Sequence, residues 1–188
     1  MNPVNPAGAA EGMRRILVLG SGGAGKTVLA RHLSAALGIP VVHLDALYYD
    51  PDFKPRPPEE FAAAQRRALA AEEVILDGNY ATSLPLRLAV ADTVIVLDLP
   101  ARTCLVGILR RRWRYRGGQH ADGVFDRLSV GFARYVIHNR RRTLPRVLHL
   151  IAEHASTTPV VHLTRRRDVD RFLQGVRRTA AIPHQLDS

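Results

Sequence analysis

A three-layer α/β fold, with a five-stranded parallel sheet between helices, is what this sequence predicts, and three observations carry it. Five short apolar runs alternate with helical patterns, as strands do when crossover helices bury both faces of a sheet. The first run passes directly into Gly20-x-x-x-x-Gly25-Lys26-Thr27, a glycine-rich turn that opens a helix. A length of 188 residues suits one such domain and is too short for two.

Each element has its own reason. Ile16–Gly20 is the first strand, followed by a helix to about Leu37 that Gly38 and Pro40 stop. Val41–Leu44 is the second strand. The prolines at 51, 55, 57 and 58 make Asp50–Pro58 a loop. Glu59–Ala71 is alanine-rich with acids at its start, which favours a helix aligned with its dipole. Val74–Asp77 and Thr93–Asp98 are the third and fourth strands. Pro100 opens a helix to about Trp113, and Gly117-Gly118 interrupt the pattern. A basic helical region follows over roughly 123–154, with a break expected near Pro145. Pro159–Leu163 is the fifth strand and Asp168–Thr179 the closing helix. Residues 1–13, rich in proline, glycine and alanine, are expected to be a disordered tail, leaving 14–182 as the single domain. No apolar stretch approaches the length of a bilayer span.

The chemistry starts at the phosphate-binding loop. Gly20, Gly22, Gly23 and Gly25 permit backbone conformations that aim several N–H groups at a polyphosphate, with Ser21 and Ala24 between them. Lys26 brings a point charge for the β- and γ-phosphates, and the Thr27 hydroxyl suits Mg²⁺. The helix that begins there, with Val28 behind the loop, places its positive end under the anion. Sheets of this kind bind ligands at the carboxyl ends of their strands, which singles out Asp45, Asp77, Asp98 and Thr164. Asp77, in Leu76-Asp77-Gly78-Asn79-Tyr80, is placed to hold Mg²⁺ directly or through water, or else to cap a turn. Asp45 could accept an acceptor's hydroxyl proton, or cap a short turn. Asp98 stands before Leu99-Pro100, where capping competes with catalysis, and His43 is expected as a packed, hydrogen-bonded histidine.

Composition narrows the partners. Lysine and arginine number 27 against 17 acids, a formal charge of +10, and lysine stands only at 26 and 54, which leaves 25 arginines. A basic surface attracts polyanions, nucleic acid included, although arginine runs also line solvated helix faces. The single cysteine, Cys104, excludes an internal disulfide and fits a reducing cytoplasm. A regulatory GTPase is disfavoured, since the Asn/Thr-Lys-x-Asp guanine motif is missing. Nothing in the sequence marks an oligomeric state.

GSGGAGKT, VVHLDALYY, LDGNY and DTVIVLDLP with the arginines behind it resemble the adenylate-kinase-like P-loop kinases, and more narrowly the topology modulation (FlaR-type) group. The resemblance spans about Arg14 to Leu173. It implies the P-loop NTPase fold with strand order 2-3-1-4-5, an arginine-rich lid at about 114–123, and ATP with Mg²⁺ as cofactors. It makes Asp77 the Mg²⁺-organising acid alongside Thr27, with Gly78, Asn79 and Tyr80 on the acceptor side. Arg110 and Arg114, four apart and therefore on one helix face, resemble a lid pair that clamps the transferring phosphoryl group. Arg134 and Arg141 resemble weaker members of the same set. Thr164-Arg165-Arg166 is similar to the segment that lines adenine. Nucleoside monophosphate kinases carry proline and arginine after this Asp-Gly; Asn79-Tyr80 replace them here, which favours a different small-molecule acceptor. The expected activity is ATP-dependent phosphoryl transfer to a small molecule or nucleotide, with Lys26, Asp45, Arg110 and Arg114 catalytic. The alternative is a nucleic-acid-associated NTPase of the topology modulation kind, with arginines near Trp113 and Tyr115 engaging phosphates and bases.

Overall fold

A computed structural model of the protein describes residues 12–115, with side chains through Arg110, and residues 143–181. Strands β1 (Arg15–Gly20), β2 (Val41–His43), β3 (Val74–Asp77), β4 (Thr93–Leu97) and β5 (Val160–Leu163) form one parallel sheet in the order β2-β3-β1-β4-β5. The helices are α1 (Lys26–Leu37), α2 (Leu44–Tyr48), α3 (Pro58–Leu69), α4 (Leu84–Leu88), α5 (Ala101–Tyr115), α6 (143–154) and α7 (Arg166–Ala180).

Successive strand side chains point to opposite faces, so a strand buried on both sides must be apolar throughout. Ile16, Val18, Ile75, Ile95 and Leu97 meet Leu29 and Leu33 of α1, Cys104 and Ile108 of α5, and Phe172 and Val176 of α7. On the other face Leu17, Leu19, Leu76, Val94 and Val96 meet Leu44, Phe61, Leu84, Leu88, Val147 and Ile151. Three layers result. Met13, at the boundary expected for the tail, is buried in the first of these cores.

Local signals explain most boundaries. Gly38 ends α1 in the left-handed conformation at φ 76° and returns its N–H to Ser34 O at 2.8 Å. Pro58 belongs to α3 and not to the preceding loop, because a first-turn residue needs no N–H partner. The second strand is shorter than expected. After His43 the chain turns helical, since Leu44, Leu47 and Tyr48 at helical spacing all pack toward the core. The fourth strand likewise stops at Leu97, one residue short. Residues 143–154 are helical, and the stretch before 143, where the expected break would show, lies outside the described residues. Residues 1–11 and 116–142, which hold most of the expected tail and lid, lie outside the described residues, as do Arg134 and Arg141.

Candidate active site

The carboxyl ends of β1, β2 and β3 converge on one place. Gly20 closes β1 at φ 146°, opposite Leu97 of β4, and a β-carbon there would lie 2.5 Å from Leu97 O. The loop then turns through Gly23 and Gly25, at φ 77° and 94°. Gly23 packs so tightly against the Cys104 carbonyl of α5 that no side chain fits, and Gly107 of α5 meets the Gly23 carbonyl in the same way. Ala24 N–H closes a turn onto Ser21 O at 3.2 Å. Helix α1 therefore starts directly behind a rigidly buttressed loop, and its first-turn N–H groups, which have no intrahelical acceptors, face the loop. Lys26 Nζ donates to Ser21 O at 3.2 Å, holding its charge at the loop. Val28 is exposed on the outer side of the first turn.

Asp77 ends β3 between two neighbours in register, Val18 of β1 and His43 of β2. Its Oδ2 accepts the Thr27 hydroxyl at 2.7 Å and lies 3.0 Å from His43 Nδ1. Burial opposes its charge, but the His43 hydrogen bond, the Lys26 charge and the Thr27 hydroxyl together hold its carboxyl below the usual range. The expected packed histidine is thus a partner of the acid. An anionic carboxylate beside a threonine hydroxyl at the head of a phosphate loop is a donor set that fits Mg²⁺.

The next residues depart from expectation. The Asn79 side chain turns to the phosphate loop. Its Oδ1 accepts Gly20 N–H at 2.9 Å and its Nδ2 donates to Gly20 O at 2.8 Å, so both polar atoms tie the phosphate loop to β3. Gly78, at φ 142°, is buried beneath Leu44, where a β-carbon would sit 2.9 Å from Leu44 Cβ. Both were expected on the acceptor side; the contacts they make are to the phosphate loop and to α2, because the chain leaving β3 passes under α2 and alongside β1. Tyr80 adopts a left-handed backbone, φ 38°, and its hydroxyl donates to Asp45 Oδ1 at 2.6 Å. Burial, then the Asp45 charge, pushes its phenol far above the ordinary tyrosine range. Asp45 itself lies in the first turn of α2, past the end of the strand. The Tyr80 ring packs with Tyr48 and Phe61 at centroid distances of 4.8 and 4.9 Å.

The far side of the loop also differs. Thr164 Oγ1 and Arg165 N–H turn to Asp168 Oδ2, at 3.4 and 3.0 Å, and cap α7. Both were expected at the nucleotide; here the Asp168 carboxylate accepts the Thr164 hydroxyl and the Arg165 backbone N–H. Arg166 reaches the phosphate loop in their place, its Nη1 3.2 Å from where a Gly25 β-carbon would stand. Asp98 pairs with His162 Nε2 at 3.4 Å on the adjacent strand. Arg110 is exposed on α5, about 3 Å along the axis from Ile108, whose side chain abuts Gly23. The Arg114 side chain lies outside the described set.

Sequence reasoning missed Arg87. It is fully buried on α4, and it donates to the carbonyls of Gly78 at 2.9 Å, Tyr80 at 3.1 Å and Asn79. Burial draws its guanidinium down to about 9. The available signal was a lone charge in the apolar turn Leu84-Pro85-Leu86-Arg87-Leu88.

A parallel sheet of order β2-β3-β1-β4-β5 with a phosphate loop after β1 is the P-loop kinase fold. A shikimate kinase from Acinetobacter baumannii, solved in complex with shikimate, matches over 96% of this chain and 100% of its own, with a TM-score of 0.60 at 16% identity. A sugar kinase from a Janibacter species matches over 86% and 91% at 16% identity, with a TM-score of 0.48. A shikimate kinase from Bacteroides thetaiotaomicron matches over 90% and 99% at 17% identity, with a TM-score of 0.47. No family model matches the sequence, and no curated protein matches it. Among the described residues, no helix is long and apolar enough to cross a membrane.

Proposed function

We propose that this protein is an ATP-dependent phosphotransferase that moves the γ-phosphoryl group to a hydroxyl of a small-molecule acceptor. The observation that carries the reading is the convergence of Lys26, Thr27 and the buried Asp77 at a complete phosphate loop, with Thr27 Oγ1 2.7 Å from Asp77 Oδ2. The loop's N–H groups and Lys26 bind the β- and γ-phosphates, and Thr27 with Asp77 holds Mg²⁺, which neutralises charge on the phosphate oxygens when bound. Asp45 orients the acceptor hydroxyl and takes its proton as the new P–O bond forms and ADP departs. Arg110 and Arg114, with Arg134 as a weaker member, are the arginines proposed to spread the charge of the transferring group. Arg166, at the start of α7, stands beside the phosphate loop on the proposed adenine side.

The acceptor we infer is uncharged. On its side of the site the described residues offer the Asp45 carboxylate and the Tyr48, Tyr80 and Phe61 rings. The Asn79 amide is committed to Gly20, and Arg56 to Glu60 at 3.8 Å. A phosphorylated acceptor would meet a carboxylate where it needs a cation. This reading keeps the affinity to the topology modulation group, whose LDGNY element is the one at β3, and a cytoplasmic setting where ATP is supplied.

The test is ADP release from Mg·ATP, with a panel of hydroxylated acceptors and, separately, DNA; the Lys26→Ala protein is the blank. One small molecule that stimulates release and gains a phosphoryl group by mass spectrometry establishes the kinase. Stimulation by DNA alone, fading as salt is raised, would replace it with the nucleic-acid-associated NTPase.

A further inference from the structure

Four consecutive residues, Asp77 to Tyr80, join three parts of the proposed site. Asp77 meets Thr27, Asn79 holds Gly20, and Tyr80 holds Asp45. Such a segment must keep one shape for these three contacts to coexist, yet two of its residues lie in the left-handed half of backbone space: Gly78 at φ 142° and Tyr80 at φ 38°. An aromatic residue does not hold that conformation on its own. Something outside the segment has to fix it.

The side chain that does so is Arg87. A charge buried away from water without an acid costs far more than an apolar side chain of the same volume. Among the described residues no acidic group pairs with Arg87; its nearest compensation is the row of carbonyls at Gly78, Asn79 and Tyr80. Space filling alone would favour leucine or methionine there, as at the neighbouring Leu84 and Leu88. The guanidinium supplies what those residues lack, a rigid planar fork that binds several fixed acceptors at once. Ser83 adds its own N–H and hydroxyl to Tyr80 O, at 3.0 and 3.2 Å, so the strained residue is held from two directions.

We propose that Arg87 is a positioning residue for phosphoryl transfer: by binding the carbonyls of Gly78, Asn79 and Tyr80 together, it locks Asp77 against Thr27 and Tyr80 against Asp45 in one geometry. This rests on the phosphotransferase reading above. Arg87 touches neither nucleotide nor acceptor; it acts through the segment it holds, as an outer partner orients a metal ligand.

The measurement is ATP binding by calorimetry, with Mg²⁺ and with a chelator, on the full chain and on two variants. Arg87→Lys keeps the charge and loses the fork; Arg87→Gln keeps two donors and loses the charge. In the parent protein Mg²⁺ tightens ATP binding. In both variants that tightening falls by about tenfold or more, the usual loss when a metal ligand's support is removed. Chelated ATP binding, which rests on a loop held by α5 as well as by Asn79, falls by less than the Mg²⁺ enhancement does, and both variants keep a cooperative melt. A variant that folds and keeps the parent's Mg²⁺ enhancement overturns the proposal while leaving the function intact. Loss of cooperative folding in both variants also overturns it, marking Arg87 as a folding residue only. A parent protein whose ATP binding ignores Mg²⁺, or that binds no ATP, overturns the phosphotransferase reading itself and the proposal with it.

Discussion

Replacing Asn79 by alanine removes two hydrogen bonds at one stroke, the 2.9 Å bond from Gly20 N–H and the 2.8 Å bond to Gly20 O. Each is worth about 1 kcal/mol net, and a buried peptide group stripped of its partner costs about 1–3 kcal/mol. Gly20 is buried, so water reaches the vacated space incompletely. The expected loss is about 2–3 kcal/mol, toward the lower end because the Asn79 side chain is itself half-buried. In urea, with an m-value of about 2 kcal/mol/M, the midpoint should fall by about 1–1.5 M at unchanged slope. Asn79→Asp sharpens the test. It keeps an acceptor for Gly20 N–H but sets a second oxygen against Gly20 O, so it should be at least as damaging as alanine. The reciprocal pairing also fixes which atom of the amide is which, since an inverted amide would face donor to donor. An alanine variant within about 0.5 kcal/mol of the parent, or an aspartate variant as stable as the parent, would refute the staple.

Gly23→Ala combines a strained φ of 77° with a β-carbon driven onto the Cys104 carbonyl, and should cost about 2–4 kcal/mol by urea unfolding; a loss under about 1 kcal/mol would show that α5 does not buttress the loop. Asp77 titrates below its ordinary 3.8 in the folded chain, so its stabilising contribution is complete above that value and is lost as pH falls through the lowered one. Urea midpoints should therefore drop more steeply below about pH 4 for the parent than for Asp77→Asn, and parallel profiles would show that the acid gains nothing from His43, Lys26 and Thr27. Tyr80→Phe loses only the bond to Asp45 and should cost about 1–2 kcal/mol in the same assay, with the aromatic cluster intact by near-ultraviolet dichroism.

Most of the fold was legible because its causes are local. Apolar strands such as Val94-Ile95-Val96-Leu97 can be buried on both faces only within a layered sheet, and Gly38 announces its helix end by the conformation it alone tolerates. The phosphate loop was legible for the same reason, its residue types being dictated by its own backbone. Strand order came through a resemblance and not from periodicity, which is blind to which strand lies next to which. The departures at the site share one physical origin. Asn79, Thr164 and Arg165 are polar residues at strand ends, where position marks them as ligand-facing. Gly20 takes the Asn79 amide, and the Asp168 carboxylate takes the Thr164 hydroxyl and the Arg165 backbone N–H, and such competition is settled by three-dimensional neighbours. Arg87 went unread because charge in a helical turn is ordinarily solvated, and nothing in Leu84–Leu88 says that the turn is buried on every side.

The end of β3 explains why a short segment carries so much. Strand β3 lies between β1, which launches the phosphate loop, and β2, which launches α2. A residue leaving β3 can therefore reach both neighbours within one side-chain length, whereas a residue leaving β1 or β4 cannot reach α2. Asp77 uses the position toward Thr27 and His43, Asn79 toward Gly20, and Tyr80 toward Asp45. The sheet order thus makes the junction available to both neighbours, and Asp77 alone meets one on each side. A shift of the segment by one residue would bring Tyr80 or Gly78 to the place of Asn79 at Gly20, and Ala81 or Asn79 to the place of Tyr80 at Asp45. That is why register here has to be pinned from beneath, by a group that binds backbone and is indifferent to the side chains above it, and Arg87 is the side chain so placed.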